Sequence, residues 1–126
     1  LFGQKIYIEV QEIKMNSSIV VLCTCSNEPE GRRIAEALVE ARLAACVNLL
    51  GGIQSIYRWQ GEIETAREVL LLIKSTAERL DELQARITEL HSYDTPEVIA
   101  LPITGGSAKY LDWIAQETGM GEPSGE

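Results

Sequence analysis

A chain of 126 residues with a formal net charge of −8 is long enough for one domain with a real core, and its acidity argues against nucleic acid or an anionic membrane as partner. No apolar run approaches the roughly 20 residues that span a bilayer, and residues 1–14 lack the compact apolar block of a signal peptide. Cys23, Cys25 and Cys46 are therefore expected to stay reduced in a cytoplasmic setting, and an odd number of cysteines argues against a closed disulfide framework.

The chain opens with Leu1 and reaches a candidate native start at Met15. Residues 1–14 read equally as a leader or expression remnant and as a strand, since Ile6, Ile8 and Val10 alternate with Tyr7, Glu9 and Gln11. One domain is expected over residues 15–119 and a loose tail over 120–126. Residues 18–25 (SIVVLCTC) are apolar on both faces, as in a strand covered on both sides. Asn27 then predicts a helix N-cap, with Glu30 in capping-box position and Pro29 in the first turn. Ile34, Leu38, Ala41 and Ala45 follow at helical spacing, which predicts a helix ending near Ala45.

From Cys46 onward two extended runs meet at Gln60-Gly61, a hairpin signal. Placing Trp59 opposite Glu62 pairs Tyr57 with Glu64 and Ser55 with Ala66. Gly51-Gly52 predicts a bulge or bend. At about 3.3 Å per residue the arm from Gly51 to Gln60 spans roughly 30 Å, against a domain radius of about 14 Å. The hairpin should project, carrying Ile53, Ile56, Tyr57, Trp59 and Ile63 with it.

The second arm runs into a doubly apolar stretch at 69–73. Ser75 and Glu78 predict another capping box, and Leu80, Leu83, Ile87 and Leu90 the buried stripe of a second helix. A polar loop, residues 91–96, leads to a short strand over 97–103, where Pro102 suits an edge. Ser107 begins a last helix with Tyr110, Leu111 and Ile114 inward, stopped by Gly119. The order β-α-β-β-α-β plus a terminal helix predicts an α+β, ferredoxin-like fold with residues 18–25 and 69–73 as its middle strands. That fold hosts unrelated activities and decides none of them.

Cys23 and Cys25, two apart on a strand, share one face. Thiolates so placed suit copper or zinc, although the four-ligand spacing of a closed zinc site is missing. Buried cysteine is a common small core residue, the readier reading for Cys25 and for Cys46 at its helix-to-strand junction. His91, the single histidine, stands beside Tyr93 and Asp94; a helix-end imidazole complementing the dipole is the simpler reading. Glu62, Glu64 and Glu68 read as a solvated face, and the aromatics of the hairpin as interface anchors. No nucleophile elbow or nucleotide-cradling loop is present, and no catalytic set emerges. Gly105-Gly106 is a weak anion signal.

Five pieces in this order, LVEARLAACVN (38–48), SIYRWQGEIE (55–64), EVLLLIKS (68–75), PEVIALPI (96–103) and YLDWI (110–114), resemble the CutA divalent-cation tolerance family. The resemblance implies a ferredoxin-like trimer of intertwined hairpins associated with copper and divalent-ion tolerance. Carried over by position, it implies Cys23, Cys46 and His91 as metal residues. Two departures stand out: the family's His-Pro-Tyr-Glu-like loop reads His91-Ser92-Tyr93-Asp94 here, and Gly51-Gly52 replaces a proline after the Asn48 region. The expectation is a non-catalytic homotrimer binding Cu2+ or another soft divalent metal at inter-subunit clefts, with no organic cofactor. The alternatives are a PII-like signalling module binding a small metabolite there, or a structural trimer anchoring a partner protein. Binding through His91 and Cys23 should weaken as pH falls through the ordinary imidazole range, about 6.5.

Overall fold

Strands that are apolar on both faces belong inside a sheet, and the structure puts them there. It is a computed structural model that describes residues 17–119; the alternation at 6–11 and the tail from 120 lie outside the described residues. Within them the order is β1 (Ser18–Cys25), α1 (Glu28–Glu40), β2 (Cys46–Trp59), β3 (Glu62–Thr76), α2 (Leu80–Leu90), β4 (Ile99–Pro102) and α3 (Ala108–Glu117). The strands form one antiparallel sheet in the order β2-β3-β1-β4. This is the ferredoxin-like arrangement, with β1 and β3 in the middle.

Register decides which side of the sheet each residue faces. Val21, Cys23 and Cys25 lie opposite Ile73, Leu71 and Val69. All six are buried, under Ile34 and Leu38 of α1 and Leu83 and Ile87 of α2. The intervening residues, Val20, Leu22 and Thr24, face the other way. On that open face Leu50, Ile99 and Leu101 stay exposed.

The helix ends differ from their sequence signals for identifiable reasons. Asn27 does cap α1, its Oδ1 accepting from Glu30 N at 2.9 Å. The helix stops at Glu40 instead of running to Ala45. Arg42, at φ 61, turns the chain left-handed, so that Leu43 N donates to Leu38 O at 2.9 Å and Arg42 N to Val39 O at 3.1 Å. That is a Schellman cap with arginine where glycine is usual.

The Ser75–Glu78 capping box does not form. Ser75 remains in β3, where its hydroxyl donates to Leu43 O at 2.6 Å. Glu78 instead accepts from Ser17 Oγ at 2.8 Å, and α2 starts through a short 3-10 turn, Ala77–Arg79. β4 is shorter than expected, pairing only Ile99–Pro102 with β1. Ser107 caps α3, accepting from Tyr110 N at 3.3 Å. Ile114 is buried, but Tyr110 stays exposed rather than inward.

The hairpin has the predicted register, with Trp59 opposite Glu62, Tyr57 opposite Glu64 and Ser55 opposite Ala66. Gln60 and Gly61 have φ of 50 and 83, the two positive values of a type I′ turn. The ladder slips between Leu50 and Ile53, where Gly52 at φ 74 makes the bulge. Beyond it the ribbon leaves Ile56, Ile63 and Trp59 exposed at 70%, 63% and 60%. One of its faces carries Tyr57 and Trp59 with Glu62 and Glu64; the other carries Ile56, Arg58, Ile63 and Arg67.

Candidate metal centre and the cleft beside it

Alternation along β1 turns Cys23 and Cys25 into the core, and the end of α2 brings His91 over them. The donor atoms of these three residues all lie within 4.8 Å of one another. All three residues are buried, and the cysteines are free. The hydrogen bond with Cys25, then burial, pushes the Cys23 thiol far above its usual range. In the closed chain Cys23 is thus a thiol, not a thiolate.

The partners of His91 fix its tautomer. Nε2 lies 2.7 Å from Thr24 O, which can only accept, and Nδ1 lies 3.0 Å from Tyr93 N, which can only donate. The ring is therefore neutral, with its proton on Nε2 and its lone pair engaged at Nδ1. His91 is the C-cap of α2, its backbone N–H donating to Ile87 O at 2.8 Å, but its ring bonds Thr24 of β1 and not the last carbonyls of the helix.

Glu30 ties this loop to the start of α1. Its Oε1 accepts from Ser26 N at 3.0 Å and Ser26 Oγ at 2.8 Å, and its Oε2 from Ser92 N at 2.6 Å. Burial pushes its carboxyl up, but those bonds to Ser26 and Ser92 outweigh burial and hold it at about 2. Oε2 lies 3.7 Å from His91 Nδ1.

Cys46 is placed elsewhere. It stands opposite Lys74 on β3 while Cys23 stands opposite Leu71, which puts the two sulfurs on opposite faces of the sheet. There the Lys74 ammonium lies 4.0 Å from Cys46 Sγ and donates to Asn48 Oδ1. The Tyr110 ring is exposed, yet partial desolvation at its hydroxyl, then the neighbouring Cys46, raises that group. Of the three residues carried over from the resemblance, the structure brings Cys23 and His91 together, and Cys25 takes the third place beside them. The shared face of Cys23 and Cys25 was legible from their spacing; the arrival of His91 was not.

On the open side, a cleft of about 780 Å3 separates the hairpin from the loop after α2. Tyr93 joins the two sites. Its ring centroid is 4.7 Å from that of His91, and its hydroxyl donates to Glu68 Oε2 at 2.8 Å. Ser55 Oγ donates to Glu68 Oε1 at 2.6 Å. Burial, then the bond to Glu68 and its charge, pushes the Tyr93 hydroxyl up. Glu62 and Glu64 are solvated as expected, but Glu68 is not: beside the bulge, on the same face of the arm, it is only 8% exposed.

Donors of this kind, two thiols and an imidazole, suit a soft or borderline metal. Residues 19–117 match the family described as CutA1 divalent ion tolerance protein. The chain is similar to the divalent-cation tolerance protein CutA of Thermus thermophilus, 52% identical over 100 residues that span 79% of this chain and 97% of that protein. It is also similar to Arabidopsis thaliana protein CutA, chloroplastic, 44% identical over 117 residues, 93% of this chain and 64% of the relative. The solved structure from Thermus thermophilus superposes with a TM-score of 0.80 at 51% identity, covering 81% of this chain and 99% of that one.

The cytoplasmic expectation is overturned by these relatives. The plant protein is named chloroplastic. The Archaeoglobus fulgidus structure, with a TM-score of 0.79 at 36% identity over 81% of this chain and 99% of that one, is described as periplasmic CutA. Free thiols say little about compartment here, because Cys23 and Cys25 are fully buried and shielded by packing. Sequence and fold converge: the chain belongs to the CutA1 divalent ion tolerance family.

Proposed function

We propose that this chain forms a homotrimer that binds a soft or borderline divalent cation, such as Cu2+, without catalysing a reaction. The observation that carries the reading is the convergence of two thiols and one imidazole within 4.8 Å. The donors fit such an ion in kind, and three protein ligands leave a position for a further one. The closed chain resists it, because Cys23 is protonated and the lone pair of His91 is held by Tyr93 N–H. Loading requires the loop after α2 to release Nδ1 and a thiol to lose its proton. Binding is therefore gated by a local opening. Cys46, on the far face, is a separate candidate donor.

Assembly is supported by the ribbon. A two-stranded hairpin is marginal alone in water, and burying Ile53, Ile56, Tyr57, Trp59 and Ile63 offers on the order of 10 kcal/mol per subunit. Among the described residues the ribbon has only its own two strands, so neighbouring chains would supply the cover, and a closed ring of identical contacts uses each surface once. Threefold closure is what the family resemblance implies.

The test is calorimetric titration with Cu2+, and with Cd2+ as a redox-inert soft probe, on the assembled protein. His91→Ala, Cys23→Ser and Cys25→Ser should each weaken binding about tenfold or more, and Cys46→Ser should measure whether the far face contributes. Affinity unchanged in both His91→Ala and Cys23→Ser would remove the cluster from the site.

A further inference from the structure

We propose that the cleft between the hairpin and the loop after α2 binds an organic cation, a guanidinium or alkylammonium group, held between Tyr57, Trp59 and Tyr93 and the carboxylates of Glu68, Asp94 and Glu97. This does not rest on the metal reading. Thr24 lines the cleft, and its side chain leaves β1 on the opposite side from Cys23 and Cys25.

The central observation is Glu68. It is 8% exposed and accepts from two neutral hydroxyls, Ser55 and Tyr93. Among the described residues it has no cationic partner. A carboxylate taken out of water without a counter-charge is costly, and a cation arriving from outside the chain relieves that cost. The walls point to the same class of ligand. Among the described residues no lysine, arginine or histidine lines the cleft, while three aromatic rings and three acids do. The faces of tyrosine and tryptophan attract cations electrostatically, most strongly where water is displaced. At about 780 Å3 the space has the size of a small-molecule site.

The placement of the acids also selects an organic cation over a metal ion. Among the described residues only Cys23, Cys25 and His91 bring donor atoms within ligating range of one another. Glu68, Asp94 and Glu97 are spread around the cleft and do not converge on a point. A planar, delocalised guanidinium, or an ammonium on an alkyl chain, spans spread charges and lies flat on aromatic faces. The same chemistry has a second source. Arg58 and Arg67, on the other face of the hairpin, have no ion pair among the described residues, and a neighbouring copy would present one of them as a guanidinium.

The experiment titrates the assembled protein with agmatine and with tetramethylammonium chloride by calorimetry at ionic strength matched with sodium chloride. It uses wild type, Glu68→Gln, Trp59→Leu, the remote control Glu40→Gln, and an Arg58→Gln/Arg67→Gln protein. Light scattering and circular dichroism confirm that each remains folded and assembled. Saturable binding by wild type, weakened about tenfold or more by Glu68→Gln and by Trp59→Leu but not by Glu40→Gln, supports a free ligand. Binding that appears only in the Arg58→Gln/Arg67→Gln protein supports the neighbour's guanidinium as the resident cation. No saturable binding in any of these proteins, or binding indifferent to both cleft substitutions, overturns the proposal.

Discussion

Glu30 shows how one residue can serve two levels of structure at once. From its position it reads as a capping-box acid, and its backbone does take the Asn27 cap. Its carboxylate passes over Asn27 to hold both Ser26 and Ser92, the latter 62 residues from Glu30 in sequence. The consequence for pH follows from the sign of the shift. A carboxyl held at about 2 in the folded chain, against an ordinary 4.5, contributes stability that is fully present above pH 4.5 and lost as pH falls toward 2. Glu30→Gln should therefore be less stable than wild type at neutral pH, with the gap closing between pH 4.5 and 2. Urea unfolding at a series of pH values measures it. A gap that stays constant across that window would mean the carboxylate's charge plays no part. Other pieces of the site were illegible for the same reason as Ser92: they are long-range. The spacing of Cys23 and Cys25 is written in β1, but no local pattern brings His91 to them, buries Glu68, or sends the Ser75 hydroxyl to Leu43.

At the scale of elements, what periodicity can express was legible and what a single backbone angle decides was not. The strand order follows from which segments are apolar on both faces, and the hairpin register from alternation about Gln60-Gly61. The end of α1 depends on Arg42 entering the left-handed region, and arginine gives no sign of that where glycine would. Gln60 is in the same position at the ribbon tip, with φ 50. A left-handed conformation is unfavourable for most L-residues and easier for asparagine, whose side chain bonds locally. Gln60→Asn should stabilise the hairpin by about 0.5–1 kcal/mol. Hydrogen exchange at the amides flanking the turn should slow accordingly, since the tip opens locally before the core does. Unchanged or faster exchange would show that the turn is not the weak point of the ribbon.

For the whole molecule, the two faces of the hairpin matter more than its length. Tyr57 and Trp59 stand with Glu62 and Glu64 on one face, and Ile56 and Ile63 with Arg58 and Arg67 on the other. Like faces repel and unlike faces attract, so contact between copies should be head-to-tail: the acidic, aromatic face of one chain meets the basic, apolar face of the next. A head-to-tail contact closes into a ring or runs on as a filament, whereas a twofold dimer would set like charges together. Charge complementarity thus favours a head-to-tail contact over a twofold one. Arg58→Glu combined with Arg67→Glu should raise the subunit dissociation constant by at least about tenfold, because two attractive contacts become repulsive ones. Adding Glu62→Arg and Glu64→Arg to the same chain exchanges the signs of both faces and should restore assembly, an outcome that mere loss of stability cannot produce. Light scattering at micromolar concentration reads both steps. A monomer mass for the unmodified protein would end the assembly argument, and a fourfold variant that stays dissociated would show that the faces do not meet in this order.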